Sequence, residues 1–237
     1  TTEARTITTT WHSTFRLPLT ITRPGRSTSF TYDSAGRMLT RTETDAVSGA
    51  TRRWTHTYNS QGLLATVDGP RADVADTTTY SYSPQGNLAS VTNARGQVTQ
   101  YTAYDPHGRL LSMTDPNGLI TAFTYDLRGR PLTRNVGGQL TTFSYTASGQ
   151  LLRTTQPDGT WVERQYDAAQ RWVSTGGNAG PISYYTLDAN GQRTWESRYE
   201  NYNDVQGQGW TYDALGRVLT EVDAQGALQW RHAYDGN

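Results

Sequence analysis

The chain of 237 residues contains no cysteine and no lysine. Without cysteine it can form no disulfide, no thiolate nucleophile and no cysteine-ligated metal site. All 21 basic residues are arginines, and 21 acidic residues bring the formal net charge to zero. Nucleic-acid-binding proteins usually carry a basic excess or a basic stripe, because phosphate contacts dominate their affinity. The balanced charge therefore argues against a nucleic-acid partner.

Long apolar stretches are missing as well. No run approaches the roughly 18–20 residues that a membrane-spanning helix needs, and no signal peptide is recognisable. Only 34% of residues are hydrophobic and the mean hydropathy is −0.72, yet the chain has 15 tyrosines and 23 glycines. This composition is too polar for a thick two-layer core and too aromatic for a disordered tail. It predicts a sheet with one apolar face and one solvated face.

The exclusive use of arginine has two explanations. Arginine stacks on aromatic rings and pairs with carboxylates better than lysine does, which suits a tyrosine-rich sheet. A codon bias in a GC-rich genome explains the same observation without any structural role. The sequence leaves both open.

A six-residue motif, Tyr-Asp-x-x-Gly-Arg, recurs along the chain about every 21 residues. Clean copies begin at Tyr32, Tyr104, Tyr125 and Tyr212, degenerate copies begin at Tyr58, Tyr82, Tyr145, Tyr166 and Leu187, and a cut-off copy begins at Tyr234. A constant period is the signature of a repeat protein, so we expect residues 1–237 to form a single repeat array. Because the chain starts at Thr1 without methionine and stops inside a copy, we expect it to be a piece of a longer polypeptide.

The motif has the chemistry of a turn. Its aspartate can accept a hydrogen bond from the backbone N–H two residues on, and Asn59 or Ser83 can do the same. The glycine three residues after the aspartate supplies a backbone position with positive φ. At Gln170 this glycine is missing. There we expect either a strained residue, at a cost of roughly 1 kcal/mol or more, or a different turn type.

A second turn signal lies about halfway between successive tyrosines. It is found at Pro24-Gly25, Asp68-Gly69-Pro70, Asn93 to Gly96, Asp115 to Gly118, Gly137-Gly138, Pro157 to Gly159, Gly176-Gly177 and Asp223 to Gly226. Each repeat is thus predicted to contain two short strands and two turns. No segment has a 3.6-residue apolar period, so we expect about twenty strands and almost no helix.

Aromatic residues recur two positions before the motif tyrosines. They are Phe30, Tyr80, Phe123, Phe143, Tyr185 and Trp210, with His56 and His232 at the same position in two other copies. Alternate residues of a strand share a face, so this aromatic slot and the motif tyrosines are predicted to lie on one side, together with Trp54 and Trp230. Leucines that follow the turns supply the aliphatic partners: Leu39, Leu64, Leu88, Leu110, Leu132, Leu151 and Leu219.

The predicted number of strands constrains the fold. Open twisted sheets rarely exceed about 10 strands without curling or splitting. We therefore predict an all-β fold in which the hairpins form one long antiparallel sheet that curls or spirals into a shell wall. The two ends of such a sheet expose unpaired strand edges, so we expect contact with adjacent repeats or self-association there.

The Tyr-Asp-x-x-Gly-Arg-x-Leu core, the period and the Asp-Pro-x-Gly connector at Asp115 resemble the RHS/YD-repeat family of bacterial Rhs polymorphic toxins and toxin-complex proteins; teneurins carry related repeats. This resemblance implies a hollow β-sheet shell that encapsulates a C-terminal toxin domain for secretion and delivery. The implied partners are that toxin domain and adjacent repeats of the same parent chain. The implied location is outside the producing cell, after delivery by a bacterial secretion system, or on its surface.

Shells of this family commonly end in a self-cleaving core, and Asp115-Pro116-Asn117-Gly118-Leu119 shares letters with its motif. Because another Tyr-Asp repeat follows at once, we interpret this segment as an ordinary connector. His12, His56, His107 and His232 are far apart and lack metal-ligand spacing. No HExxH, P-loop, GxSxG or EF-hand motif is present. We expect no enzyme, no catalytic, cofactor-binding or metal-binding residue and no cofactor.

The aromatic stripe supports one alternative. Exposed tryptophan and tyrosine beside arginine and glutamine also make sugar-binding platforms, and repeat surfaces often bind ligands. On this interpretation the chain is a cell-surface adhesion or glycan-binding module, and Trp54 contributes to carbohydrate binding.

Overall fold

The computed structural model describes residues 6–200 and 203–234. Within these ranges the chain forms 21 strands and no helix, and all strands belong to one antiparallel sheet. The prediction of an all-β chain with about twenty antiparallel strands is confirmed. In the last, cut-off copy of the motif Tyr234 is described, whereas Asp235 lies outside the described residues. The chain divides into two compact units, residues 1–121 and 122–237.

The first unit contains strands rich in threonine, tyrosine and valine, residue types that favour extended backbone. Its strands are β1 (Thr8–Trp11), β2 (Pro18–Arg23), β3 (Arg26–Tyr32), β4 (Met38–Asp45), β5 (Thr51–Tyr58), β6 (Leu64–Asp68), β7 (Thr78–Tyr82), β8 (Leu88–Thr92), β9 (Val98–Tyr104) and β10 (Leu110–Thr114). Each pairs with the next along the chain. The following strand, β11 (Ile120–Tyr125), contains the point where the units divide.

The second unit repeats this organisation. Its strands are β12 (Pro131–Val136), β13 (Gln139–Tyr145), β14 (Leu151–Thr155), β15 (Trp161–Tyr166), β16 (Trp172–Gly177), β17 (Ile182–Leu187), β18 (Arg193–Glu200), β19 (Asn203–Tyr212), β20 (Val218–Asp223) and β21 (Leu228–Arg231). From β12 to β21 each strand again pairs with its successor.

A β-bulge follows the motif turn in copy after copy. In the β3–β4 hairpin Tyr32 lies opposite Met38 and Thr31 lies opposite Thr40, so Leu39 is an extra residue. The same register shift occurs after Tyr58, Tyr82, Tyr104, Tyr145, Tyr166, Leu187 and Tyr212. Six of the predicted leucine partners lie at this bulge, either opposite the tyrosine (Leu64, Leu88, Leu110, Leu151) or as the extra residue (Leu39, Leu219). Bulges of this kind bend a strand and increase its twist.

The residue before each motif tyrosine belongs to the opposite face, because neighbours in a strand alternate. There, hydroxyl groups pair across the hairpin: Oγ1 of Thr31 lies 2.7 Å from Oγ1 of Thr40. The pairs Thr57–Thr66, Ser81–Ser90, Thr124–Thr133 and Thr211–Thr220 repeat this contact. The sequence predicted a polar face but not this row of hydroxyl pairs.

Most of the predicted connectors are turns, but the pair Gly176-Gly177 was wrongly assigned. Both glycines lie in β16, where Gly177 pairs with Val162. A Cβ on Gly177 would lie 1.9 Å from the carbonyl oxygen of Trp161, and one on Gly176 would lie 2.9 Å from Cγ1 of Ile182. Glycine is therefore required by the close approach of neighbouring groups rather than by a turn.

The described part of the chain has no fully buried hydrophobic side chain. Its buried polar residues are Thr40, Ser174 and Ser183, and Gly209 is buried as well. This agrees with the composition, which predicted a sheet without a thick two-layer core. Stability therefore depends on contacts that recur from repeat to repeat.

Candidate functional site

The motif aspartate closes its turn as predicted. Oδ1 of Asp33 accepts hydrogen bonds from the backbone N–H groups of Ala35 and Arg37, each at 2.9 Å, and Asn59 caps its own turn in the same way. The bond from the Arg37 backbone holds the pKa of the Asp33 carboxyl below its usual value. Gly36 has a φ of 79°. Each clean copy of the motif is thus a capped turn that carries a negative charge, at Asp33, Asp105, Asp126 and Asp213.

Gln170 keeps the same turn type without glycine. Its N–H donates to the carbonyl oxygen of Asp167 at 2.9 Å, as the glycine does in the other copies. Its φ of 66° makes it the one non-glycine residue with positive φ among residues 6–200 and 203–234. Of the two outcomes expected at this position, the strained residue is the one observed.

The motif arginine joins its own turn to the next repeat. Nε of Arg37 donates to Oδ2 of Asp33 at 2.7 Å, and the guanidinium lies 4.8 Å from the ring centre of Tyr58 in the following copy. The guanidinium of Arg130 lies 4.3 Å from the ring centre of Tyr145, and that of Arg217 lies 4.3 Å from the ring centre of Tyr234. These contacts combine an ion pair with a cation–π interaction, the combination that distinguishes arginine from lysine.

The motif tyrosine also contacts the preceding repeat through its hydroxyl. Tyr58 donates a 2.8 Å hydrogen bond to the carbonyl oxygen of Met38, the residue opposite the previous motif tyrosine. Equivalent bonds run from Tyr32 to Pro18, Tyr104 to Leu88, Tyr145 to Pro131, Tyr166 to Leu151, Tyr212 to Arg193 and Tyr234 to Val218. Burial raises the pKa of the Tyr58 phenol, so the donor proton is retained. We call this bond and the arginine–ring contact together the Tyr-Arg clamp.

The structure reveals a copy of the turn that the sequence analysis missed. The N–H of His12 donates to the carbonyl oxygen of Leu17, as that of Asp33 does to Arg37. Nδ1 of His12 accepts hydrogen bonds from the N–H groups of Thr14 and Phe15, at 3.1 and 3.2 Å, in the place of the aspartate. Trp11, at the tyrosine position, precedes Tyr32 by about one period, and that spacing was the available signal.

The four histidines do not converge. His12 caps a turn, and the His107 N–H is bonded to Asp105 in another. His232 occupies the predicted aromatic slot: its ring stacks on Tyr234 with centroids 6.5 Å apart, as Phe123 stacks on Tyr125. Across the described ranges, no group of three or more histidine or acidic side chains is placed to hold a metal ion.

The connector at Asp115 has the geometry of a turn cap. Oδ1 of Asp115 accepts hydrogen bonds from the N–H groups of Asn117 and Leu119, both at 2.8 Å, and Gly118 has a φ of 84°. The Asp115 carboxylate thus accepts hydrogen bonds from the backbone two and four residues on, as the Asp33 carboxylate does. This supports the interpretation as a connector over the self-cleaving alternative.

The tryptophans differ in exposure. Trp230 and Trp11 are 67% and 61% exposed. The guanidinium of Arg41 lies 4.5 Å from the Trp54 ring centre and that of Arg153 lies 4.0 Å from that of Trp161. Trp54, the residue expected to contribute to carbohydrate binding, therefore has arginine over one ring face. The described residues include no helix that is long and apolar enough to span a membrane.

The sequence matches the model of the teneurin YD-shell family over residues 22–231. A comparison with curated protein sequences finds no match.

Solved structures share the fold. The crystal structure of TcdB2-TccC3-TEV aligns with a TM-score of 0.70 at 18% identity, over 91% of this chain and 13% of that chain. The crystal structure of TcdB2-TccC3-Cdc42 aligns with a TM-score of 0.67 at 18% identity, over 87% of this chain and 12% of that chain. The structure of the Photorhabdus luminescens Tc holotoxin pore aligns with a TM-score of 0.62 at 16% identity, over 89% of this chain and 14% of that chain. The chain thus spans a small part of the length of each similar structure.

Proposed function

Because the chain belongs to the teneurin YD-shell family, we propose that it forms part of a curled β-sheet wall that encapsulates a toxin or effector domain of its parent protein. The observation that carries this proposal is the family match across residues 22–231, a model defined on shell repeats. The similarity to TcdB2-TccC3 and to a Tc holotoxin suggests a toxin as the cargo.

The contacts between repeats suit a wall. The Tyr-Arg clamp links neighbouring hairpins at Tyr58, Tyr145 and Tyr234, and the tyrosine hydroxyl bond does so at Tyr32, Tyr104, Tyr166 and Tyr212. These contacts give a fixed spacing between repeats to a sheet whose described residues include no buried hydrophobic side chain. A single-layer sheet leaves both faces accessible, one for the interior and one for solvent. The recurrent bulges add curvature, which a closed shell requires.

The proposed partners are an encapsulated toxin domain and adjacent repeats of the same parent chain, with residues 1–237 forming one array. The proposed location is outside the producing cell, reached through a bacterial secretion system. The proposed role is structural, so the chain itself would carry out no catalytic step.

Limited proteolysis of the parent protein tests the proposal. The candidate cargo domain is followed by mass spectrometry in the intact parent and as an isolated domain, with an exposed terminal tag as the cleavage control. We expect the cargo to stay intact in the parent while the tag and the isolated domain are digested. Equal digestion rates for the cargo in both forms would contradict encapsulation and direct attention to carbohydrate binding on the aromatic face.

A further inference from the structure

A groove of about 600 Å³ lies between two successive motif turns of the second unit. One wall is the turn that follows Tyr145 and the other is the end of β15 with the turn that follows Tyr166. The lining residues are Thr146, Ala147, Ser148, Gln150, Leu152, Arg164, Gln165, Tyr166, Asp167 and Gln170.

The groove exists because the copy that begins at Tyr145 departs from the motif. In the next copy Arg171 bonds to Asp167 and its Nη1 reaches the carbonyl oxygen of Asp188 in the following turn at 2.7 Å. The copy at Tyr145 has Gln150 at the arginine position and Thr146 at the aspartate position. Gln150 still donates to the carbonyl oxygen of Gln170, but its side chain is shorter and uncharged. The space that the motif arginine fills elsewhere is left open here.

The same groove contains an unusual arginine. Arg164 lies two residues before Tyr166, in the aromatic slot that holds phenylalanine, tyrosine, tryptophan or histidine in most copies. Its Nη1 is buried, and no protein group among the described residues accepts a hydrogen bond from it. Among the described side chains, no carboxylate forms an ion pair with Arg164, whereas Arg153 pairs with Glu163 and Arg171 with Asp167. Leaving a buried guanidinium N–H without an acceptor is unfavourable, so the site favours an incoming acceptor.

We propose that this groove binds a carboxylate group, with Arg164 as the residue that recognises it. Asp167 also lines the groove, but Nε of Arg171 lies 2.7 Å from its Oδ2, so the negative charge of Asp167 is already paired. The positive charge of Arg164 is therefore the unbalanced charge in the groove. A single guanidinium matches a singly charged carboxylate, whereas a phosphate usually recruits several cationic groups. The hydroxyls of Thr146 and Ser148 and the amide of Gln150 provide neutral polar groups around it. Two sources present such a carboxylate: an acidic peptide segment and a uronic acid sugar.

The test is a titration of the ¹⁵N-labelled 237-residue chain, followed by backbone and arginine Nε resonances. The probes are N-acetylglutamate and glucuronate, with N-acetylglutamine and glucose as neutral analogues, all at constant ionic strength. We expect saturable shifts at Ser148, Gln150 and Gln170 with a dissociation constant on the order of 1 mM for a carboxylate probe. The neutral analogues should cause none. The tighter of the two carboxylates identifies the source.

Three variants separate the site from general charge effects. Arg164→Phe restores the residue type of the aromatic slot and should weaken binding at least tenfold while the fold is kept. The double variant Thr146→Asp with Gln150→Arg retains Arg164 but restores the motif ion pair and fills the groove, and it should also abolish binding. Arg134→Ala, which removes an exposed arginine from the same unit, should leave the dissociation constant unchanged.

The proposal is overturned by unchanged affinity in Arg164→Phe, or by equal shifts with the neutral analogues. Inorganic phosphate that binds as tightly as either carboxylate overturns the assignment of the ligand class. These outcomes are independent of encapsulation, because the titration requires no cargo.

Discussion

The hydroxyl of Tyr58 donates a 2.8 Å hydrogen bond to the carbonyl oxygen of Met38, a residue of the preceding hairpin. Met38 is itself the residue opposite Tyr32, so this one bond connects consecutive copies of the motif. The guanidinium of Arg37 covers the same Tyr58 ring from the preceding turn. A chain without a fully buried hydrophobic side chain in its described ranges thus gains cohesion from contacts made once per period.

The hydroxyl bond of the clamp should contribute measurably to stability. Tyr58→Phe removes only that hydroxyl and leaves the Met38 carbonyl without its donor, and we expect a loss of about 1 kcal/mol in the free energy of unfolding. Urea denaturation of the purified chain measures it. Tyr80→Phe is the matched control, because Tyr80 occupies the aromatic slot and its hydroxyl has no clamp bond. Equal losses in the two variants would refute a specific role for the clamp.

The arginine of the clamp should not be replaceable by lysine. Arg37→Lys keeps the charge beside Asp33 but loses the planar group over Tyr58, and we expect a destabilisation of roughly 0.5–1 kcal/mol. Arg53→Lys, at an exposed position of β5, should have no measurable effect. The two variants are compared by urea denaturation. If both are neutral, the explanation of arginine use by codon bias is favoured.

Gln170 offers a stabilising substitution. Its φ of 66° is strained for any residue with a Cβ, and Gln170→Gly should stabilise the chain by about 1 kcal/mol, less the added backbone entropy of the unfolded state. Gly191→Ala, at the equivalent turn position with a φ of 84°, should destabilise it. Thermal unfolding of both variants provides the comparison. A destabilising Gln170→Gly would show that the Gln170 side chain contributes more than its backbone strain costs.

The capping aspartates should make the fold sensitive to acid. Hydrogen bonds from the backbone of Arg37 and of Arg217 lower the pKa of Asp33 and of Asp213. A carboxyl with a lowered pKa in the folded state stabilises the fold above its unfolded pKa of about 3.9, and this stabilisation disappears as the pH falls through the folded pKa. We expect the melting temperature to be constant near neutral pH and to fall below about pH 4.

Asp33→Asn provides the control for acid sensitivity. Asn59 caps its turn without a charge, so asparagine at position 33 should preserve the turn and remove one titrating group. The variant should lose less of its melting temperature between neutral and acidic pH than the parent sequence does. An identical pH profile would show that Asp33 does not take part in the acid transition.

The sequence predicted what local turn chemistry determines. The Asx turn at Asp33 and the two strands per repeat follow from residue types at fixed spacing, and the strained Gln170 is one of the two outcomes expected at that position. The hydroxyl bond of the clamp was not predictable, because the acceptor of the Tyr58 hydroxyl is a backbone carbonyl that no side chain marks. Gly176-Gly177 was assigned to a turn because glycine serves turns and close approaches alike.

The remaining omissions have a similar origin. The copy at Trp11 was missed because His12 caps the turn with a ring nitrogen instead of a carboxylate. The groove beside Arg164 depends on departures from the motif in two consecutive copies, at Thr146 and Gln150 in one and at Arg164 in the next. Each is visible in the sequence, but only the stacking of successive turns brings them together.

Electron cryomicroscopy of the intact parent protein would show whether these repeats enclose another domain of the same polypeptide. We expect residues 22–231 to form part of a curved wall, with density for another domain of the same polypeptide on its concave side. A parent protein in which these residues form an open sheet with solvent on both faces, and in which the cargo domain lies outside, would contradict it.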